Sequence, residues 1–242
     1  CTSFIDHSCR RRELSLSAIV FERVTKRFDN GQEALSEISV EFASGSMTFL
    51  TGHSGAGKST FLRLLIGAES ATRGRIYVDD VDISRLGARR MPWYRREVGV
   101  VFQDHNLLLQ HSVFDNVALP LRINHLGERE VASRVRGALG TVELLGKEHL
   151  MPSQLSTGEQ QRVGIARAVV GRPKILLADE PTGNLDPDLA RSVMELFGRF
   201  NELGTTVLIA SHDIALIQSL GMPTLNLAAG RIADVDGVLD GA

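Results

Sequence analysis

The chain has 242 residues and a formal net charge of −2 at neutral pH, so it lacks the overall basic field of many nucleic-acid-binding proteins. Hydrophobic residues make up 43% and charged residues 23%, which is typical of a globular protein. No apolar run approaches the roughly 18 residues of a transmembrane helix, so we expect no membrane span. Aromatic residues are sparse at 5%, which argues against a base-stacking platform.

Both cysteines, Cys1 and Cys9, lie in the first 17 residues. Disulfides are therefore not expected to hold the fold, and so isolated a pair is not expected to bind metal; the composition suits a reducing cytosol. We expect residues 1–17 to form a flexible extension and residues 18–242 a single domain. No apolar core follows the arginines at 10–12, so we do not expect the extension to be a secretory signal. A basic arm that touches anionic lipid is the alternative.

Apolar periodicity predicts strands and helices that alternate along most of the chain. The predicted strands are 18–28, 35–42, 47–51, 75–78, 98–102, 175–178, 205–210, 224–227 and 231–235. The predicted helices are 58–67, 116–123, 128–145, 159–171 and 189–203.

This order of elements predicts an α/β fold with a mainly parallel core sheet. The first strands alternate apolar and polar residues, which indicates an antiparallel β subdomain. Residues 104–170 are rich in helix formers and nearly free of strand-like runs, so we expect a helical subdomain there. No repeat or linker divides the chain.

Residues 52–59 match the phosphate-loop pattern Gly-x-x-x-x-Gly-Lys-Ser/Thr, between a predicted strand and a predicted helix. Glycines let backbone N–H groups curl around phosphate oxygens, and the helix N-terminus adds partial positive charge. Lys58 would contact the β- and γ-phosphates, and the Ser59 hydroxyl would bind Mg²⁺. A simple glycine-rich turn is the alternative. The predicted nucleotide-binding residues are Gly52, His53, Ser54, Gly55, Ala56, Gly57, Lys58, Ser59 and Thr60.

Two adjacent acids, Asp179 and Glu180, end a short apolar strand. Acids at the carboxyl end of a core strand lie beside the phosphate loop in such sheets. Asp179 would hold Mg²⁺, and Glu180 would act as general base toward the attacking water. A strand-end helix cap is the alternative, but it explains one acid better than two.

Three further signals are weak alone. Ser156 to Gly158 reads as a helix-capping motif, and it gains weight from the strand with paired acids that follows it. His212 follows an apolar strand and would contact a γ-phosphate, unless it merely begins a helix. Gln103 also follows a strand, and its amide would reach the metal or the attacking water.

Taken together, these segments resemble the nucleotide-binding subunit of ABC (ATP-binding cassette) ATPases, which are P-loop NTPases. The resemblance extends over about residues 19–235. It implies ATP and Mg²⁺ as cofactors and hydrolysis of ATP to ADP and phosphate. The segments that carry it are 52–60, Gln103, 155–163, 175–180, 184–186 and His212.

The resemblance also implies a homodimer in the ATP-bound state, with two ATP molecules held between the subunits. Ser156 and Gly158 would touch the γ-phosphate of the partner's ATP, and residues 184–186 would line the seam. Phe28 stands where the family often has an adenine-stacking Tyr, although a core Phe at a strand end is the alternative. Thr157 departs from the usual Leu-Ser-Gly-Gly-Gln signature, and so does Glu159.

Within the family, residues 52–60, 102–105, 114–121 and 160–170 are similar to the ATP-binding subunit of bacterial cell-division complexes. That similarity implies an integral membrane partner resembling FtsX and a peripheral place on the inner face of the inner membrane. It also implies ATP cycles that activate cell-wall hydrolases at the septum. Division-ring proteins are further candidate partners, and no nucleic acid is expected. ATPases of lipoprotein-release or macrolide-efflux exporters are the alternative.

Two stretches are candidates for contact with the membrane complex. Residues 103–121 have unusual apolar content, which predicts either core packing or a groove for the partner. Residues 89–96 hold four arginines and form either a solvated helix face or a contact with a partner's tail or lipid headgroups.

The sequence disfavours two other classes of function. A soluble ABC protein that acts on DNA or ribosomes would generally carry two cassettes or a long coiled coil, and neither is evident here. A nucleotide-binding scaffold without turnover is disfavoured because Glu180 and His212 are both present.

Overall fold

The computed structural model describes residues 17–183 and 185–236. The expected N-terminal extension lies outside the described residues, apart from the backbone of Ser17. Asn184, at the expected dimer seam, also lies outside them.

Ten strands are described within these ranges. In chain order they are β1 (Ser17–Arg27), β2 (Glu33–Ala43), β3 (Met47–Thr51), β4 (Arg73–Val78), β5 (Val81–Asp82), β6 (Val98–Val101), β7 (Ile175–Asp179), β8 (Thr206–Ala210), β9 (Thr224–Ala228) and β10 (Arg231–Asp236).

Seven α-helices are described in the same part of the chain. They are α1 (Lys58–Leu65), α2 (Met91–Arg95), α3 (Val113–Ile123), α4 (Glu128–Thr141), α5 (Thr157–Val169), α6 (Pro187–Glu202) and α7 (Ile214–Leu220). No helix of the described residues is both long and apolar enough to cross a bilayer.

The strands form two sheets, as expected. An antiparallel sheet has the order β2-β1-β4-β5, and a six-stranded sheet has the order β10-β9-β3-β8-β7-β6. In the second sheet, β9, β3, β8, β7 and β6 run parallel and β10 pairs antiparallel with β9. The antiparallel early strands and the parallel core predicted from the sequence are therefore both confirmed.

Strand register brings the carboxyl ends of three central strands to one edge of the parallel sheet. Ala210 on β8 pairs with Leu50 on β3 and with Asp179 on β7. Because each of these strands ends here, the segments that follow them must lie side by side. Those segments are the phosphate loop, Glu180 and His212, far apart in sequence.

Apolar side chains of the parallel strands alternate between two cores. Phe61 of α1 stacks on Phe21 with ring centroids 4.1 Å apart and meets Phe42 edge-on at 6.1 Å, so α1 packs between the two sheets. Leu177 lies in this first core, whereas Leu176 lies with α3, α5 and α6 in the second. Leu176 and Leu177 are both fully buried, so both faces of the sheet are covered.

The expected helical region consists of α3, α4 and α5, which pack on one another. Several helix boundaries predicted from the sequence were wrong. Helix α1 ends at Leu65 rather than 67, and helix α3 begins at Val113 rather than 116, because Ser112 is its N-cap. Helix α4 ends at Thr141 rather than 145, because the chain turns at Glu143 (φ 60°) and buries Leu144. Helix α5 begins at Thr157 rather than 159, because Ser156 is its N-cap.

Three short elements, α2, α7 and β5, are absent from the prediction based on apolar periodicity, although a helix was one interpretation of residues 89–96 and a helix start one interpretation of His212. Each has seven residues or fewer, too short for apolar periodicity to show. Helix α7 begins after Asp213, whose carboxylate accepts a hydrogen bond from the Leu216 N–H at 3.0 Å. His212 therefore precedes a helix N-terminus as well as following a strand.

Candidate active site

The phosphate loop between β3 and α1 has the backbone that its glycines were expected to allow. Gly52, Gly55 and Gly57 have φ values of 136°, 77° and 110°. A Cβ on Gly52 would lie 2.2 Å from the Leu227 carbonyl oxygen, so a side chain is excluded there. Gly52 and Gly57 are therefore required by both backbone conformation and space, whereas Gly55 is required by its backbone conformation alone.

Lys58 bends back over the loop that precedes it. Its ammonium group donates hydrogen bonds to the carbonyls of Gly52 at 2.7 Å and His53 at 3.3 Å, and it lies 4.0 Å from Glu180 Oε1. Only 8% of the side chain is exposed. The positive charge is therefore held inside the curve of the loop, where an anion would bind.

Ser59 and Asp179 bring a hydroxyl and a carboxylate together beside this charge. The Ser59 hydroxyl donates to Asp179 Oδ1 at 3.2 Å. Burial raises the pKa of Asp179, and the hydrogen bond from Ser59 acts in the opposite direction. Neighbouring Glu180 raises the pKa of Asp179 further, whereas Lys58 lowers it. A cation bound next to Asp179 would stabilise the ionised form of this carboxylate.

Glu180 is oriented by backbone and side-chain contacts. Its N–H donates to the Ala210 carbonyl at 2.9 Å, and its φ of 48° is unusual for a residue other than glycine. Its Oε2 lies 2.8 Å from His212 Nδ1, which must carry the proton because a carboxylate can only accept. The carboxylate is 14% exposed and the imidazole 68% exposed. Glu180 is thus held at the edge of the site, with His212 facing solvent.

A cavity of about 1110 Å³ opens over these residues. Most of the phosphate loop, Gln103, Glu180, His212 and Phe28 line it. The exposed side chain of Gln103 therefore belongs to the same space as the general-base candidate, as expected from its position after β6. Phe28 lies at the same opening, with the Lys26 ammonium 5.0 Å from its ring centroid.

The sequence did not predict one wall of the cavity, which comes from β9 and β10. Asn226, Asp234 and Asp236 line it. They reach the site because β9 pairs with β3, with Thr51 opposite Asn226. This pairing joins residues 175 positions apart, and no local pattern indicates it.

The predicted signature residues lie apart from this cavity, at the start of α5. Ser156 Oγ accepts from the Glu159 N–H at 3.3 Å, and the Ser156 N–H donates to Glu159 Oε2 at 2.9 Å. This reciprocal pair is a capping box, so Glu159, a departure from the family pattern, has a role in holding the helix start. Ser156 and Thr157 are exposed.

Gly158 and Gln160 support this helix start. A Cβ on Gly158 would lie 2.1 Å from Leu189 Cδ2, so the glycine allows α5 to approach α6 closely. The Gln160 amide donates to the carbonyls of Pro152 at 3.1 Å and Leu155 at 3.2 Å. Both contacts fix the segment within its own chain and leave Ser156 facing outward.

Arg167 links α5 to the loop after Gln103. Its guanidinium donates to the carbonyls of His105 and Asn106, both at 2.7 Å. These two residues have φ values of 55° and 47°, so the arginine holds an unusual backbone turn. The sequence did not indicate this contact, since it joins positions about 60 residues apart.

A family model described as ABC transporter matches residues 35–183 of the chain. The chain belongs to the ABC transporter family. Like other members it is an α/β P-loop ATPase with a mainly parallel core sheet, an antiparallel β sheet and a helical region, and it binds and hydrolyses ATP.

Two FtsE proteins are similar to this chain over nearly their whole length. The cell division ATP-binding protein FtsE of Escherichia coli K12 is 50% identical over 214 residues, which are 88% of this chain and 96% of that protein. FtsE of Mycobacterium tuberculosis is 46% identical over 217 residues, 88% of this chain and 94% of the relative.

A solved structure of an ABC cassette has the same fold. The dimeric post-hydrolysis state of the ATP-binding cassette MJ0796, bound to ADP and phosphate, superposes with a TM-score of 0.84 at 32% identity. The match covers 93% of this chain and all of the MJ0796 chain. The structure of that cassette therefore represents a dimeric product state of a protein with this architecture.

Proposed function

We propose that this protein is the ATP-hydrolysing subunit of an inner-membrane ABC complex that acts in bacterial cell division. Identities of 46–50% to FtsE proteins over nearly their full length support this proposal. The observation that supports ATP hydrolysis is the convergence of Lys58, Glu180 and His212 on one edge of the cavity. Asp179 is hydrogen-bonded to Ser59, which lines the same cavity. A scaffold that only held nucleotide would not need a carboxylate and an imidazole placed in contact.

In the proposed reaction, the phosphate loop binds the ATP phosphates and Lys58 turns its charge from the loop carbonyls toward them. Glu180 orients the attacking water and takes its proton. His212 holds Glu180 through Nδ1, and its exposed ring contacts the γ-phosphate. Phe28 stacks on adenine at the mouth of the cavity.

The donor set suits Mg²⁺, which prefers hard oxygen ligands. Ser59 and Asp179 already lie 3.2 Å apart, and the Gln103 amide opens onto the same cavity. Bound there, the ion would neutralise charge on the phosphate oxygens. The burial that raises the pKa of Asp179 is the cost that a cation would offset.

Each site requires a second copy of the chain. Ser156 and Gly158 do not line the cavity of their own subunit, and Ser156 faces outward from the start of α5. In the ATP-bound homodimer they contact the γ-phosphate held by the partner. The dimeric cassette of MJ0796 supports this arrangement. The Ser156 hydroxyl and the N-terminus of α5 both favour an anion.

The membrane partner, an integral protein resembling FtsX, is proposed to dock on the stretch that follows Gln103. Core packing and partner contact were the two alternatives for this stretch, and different residues fit each of them. Val113 is buried, whereas Leu108 and Leu109 are 40% and 68% exposed. The exposed leucines form an apolar surface a few positions after Gln103, which lines the nucleotide cavity. Docking there would place the chain on the inner face of the inner membrane, with division-ring proteins as further contacts.

Co-purification tests this proposal. The tagged protein is extracted from its native membrane in mild detergent, and retained proteins are identified by mass spectrometry. We expect an integral membrane protein with a few spans, retained by the wild type and lost from a Leu108→Ser/Leu109→Ser variant. Retention of an exporter permease would favour the lipoprotein-release or macrolide-efflux alternative. Retention of duplex DNA or ribosomes instead would contradict the membrane assignment.

A further inference from the structure

A basic surface with one tryptophan stands away from the nucleotide site. We define the Trp93 patch as Arg89, Arg90, Trp93 and Arg96. Trp93 is the only tryptophan of the chain, and it is 65% exposed. The Arg96 guanidinium lies 4.2 Å from its ring centroid. An indole left in solvent and covered on one face by an arginine is an unusual surface feature, since burial of a large aromatic ring is favourable.

The patch is rigid because the other residues of α2 anchor it. The Tyr94 hydroxyl donates to the Leu65 carbonyl at 2.5 Å, and Arg95 donates to the carbonyls of Ile66 at 3.0 Å and Gly67 at 2.7 Å. Helix α2 is thus fastened to the end of α1. Trp93 is held outward by this attachment.

The arginines of the patch form no ion pair with a carboxylate among the described residues, although Glu97 follows Arg96 in the sequence. Residues 89–96 contain four arginines and no acid. Arg95 is used to bind carbonyls, whereas Arg89 and Arg90 are exposed and form no ion pair with any residue in the described ranges, 17–183 and 185–236. The chain as a whole carries a net charge of −2, so this positive surface is local.

The patch also lies apart from the phosphate loop. The phosphate loop opens the N-terminus of α1, whereas α2 is attached to its C-terminus and leads into the start of β6. About 12 Å of helix therefore separates the two. A dimer joined through its nucleotide sites would leave the patch exposed.

We propose that the Trp93 patch binds the anionic surface of a phospholipid bilayer. Tryptophan favours the headgroup level, where its ring is buried and its N–H stays hydrated. Arginine forms paired hydrogen bonds to phosphate, and clustered basic residues are attracted to anionic leaflets. A nucleic-acid partner fits less well, because the chain has few aromatic side chains on which bases could stack. The membrane placement under Proposed function explains why a bilayer would be within reach, and the inference rests on it to that extent.

Trp93 itself reports the test, because no other tryptophan contributes to fluorescence. The full-length protein is mixed with vesicles of phosphatidylcholine and phosphatidylglycerol, and separately with vesicles of phosphatidylcholine alone. We expect a blue shift of the emission and protection from acrylamide only with the anionic vesicles. High salt should reverse both effects, since screening acts over about 10 Å at 0.1 M. Unchanged emission with anionic vesicles would overturn the proposal.

A charge-matched pair of variants separates the patch from a general charge effect. Arg89→Ser/Arg90→Ser should weaken co-sedimentation with anionic vesicles by roughly tenfold or more. Arg129→Ser/Arg136→Ser removes the same charge from the exposed face of α4 and should leave it unchanged. An equal loss of co-sedimentation with anionic vesicles in both double variants would overturn the proposal. This assay contains no membrane protein, so its failure is distinct from failure of the co-purification experiment.

Discussion

The Nδ1 atom of His212 lies 2.8 Å from Oε2 of Glu180, although the two residues are 32 positions apart. Glu180 follows β7, His212 lies two residues beyond β8, and these strands pair in parallel with Asp179 opposite Ala210. The Glu180 N–H also donates a hydrogen bond to the Ala210 carbonyl. Sheet register therefore sets the distance between the proposed general base and the residue that orients it.

Replacing Glu180 with Gln should slow ATP hydrolysis by roughly 10²–10⁴-fold, the usual contribution of a general base. ATP affinity should remain close to that of the wild type, because Gln keeps the shape and can still accept from His212. Phosphate release and fluorescent-ATP binding, measured on the same protein, separate the two effects.

The control for this variant is Glu195→Gln, which removes an exposed carboxylate from α6. It should hydrolyse ATP at the wild-type rate. A Glu180→Gln protein as active as this control would remove Glu180 from its proposed role.

Lys58→Ala should raise the dissociation constant for ATP by roughly 10²-fold or more, because an almost buried charge is lost from the phosphate site. Titration with a fluorescent ATP analogue measures it. Lys174→Ala is the matched control, since Lys174 pairs with Asp79 outside the cavity. Wild-type affinity in Lys58→Ala would contradict the assigned role of the lysine.

Gly52→Ala should destabilise the fold by roughly 3 kcal/mol, because its backbone is strained for alanine and its Cβ would collide with the Leu227 carbonyl. Gly198→Ala, in α6 with nothing within 4 Å of the added atom, should be neutral or stabilising by about 0.5–1 kcal/mol. Urea denaturation midpoints give both values. Similar stability of the two variants would be inconsistent with the described loop.

Asp179 should make nucleotide-free stability depend on pH with a defined sign. Since burial raises its pKa above the ordinary value of 3.8, the folded state binds more protons there than the unfolded state. The contribution of Asp179 to the free energy of unfolding therefore falls as the pH rises from 3.8 through the raised pKa of the folded state. Asp179→Asn removes this titration, so its stability relative to the wild type should increase with pH. Denaturation at several pH values without Mg²⁺ measures the difference; a decrease would contradict the stated direction.

The phosphate loop could be predicted from sequence because it is a local arrangement. A strand, a glycine turn and a helix start follow one another within residues 47–65, and the local sequence indicates each of them. The acids at 179 and 180 were found for the same reason. Gln103 and His212 were weaker predictions, because each depends on a strand end meeting others at one sheet edge.

Non-local pairings account for what the sequence did not predict. Asn226 reaches the cavity through the pairing of β9 with β3, and Arg167 reaches the His105 carbonyl across the helical region. Neither contact leaves a periodic pattern. The strand order itself depends on which apolar strands pack in the centre, and several have equivalent composition. Apolar periodicity did not indicate helix α2, because its contacts to α1 stabilise it more than its own five residues do.

The most direct test of the central claim, that each ATP is held between the phosphate loop of one copy and Ser156 of another, is ATP-dependent dimerisation. With ATP and Mg²⁺, Glu180→Gln should sediment as a dimer. Adding Ser156→Asp keeps a good helix cap but places a carboxylate against the partner's phosphate. The double variant should still bind ATP and sediment as a monomer. A double variant that dimerises as fully as Glu180→Gln would contradict the account.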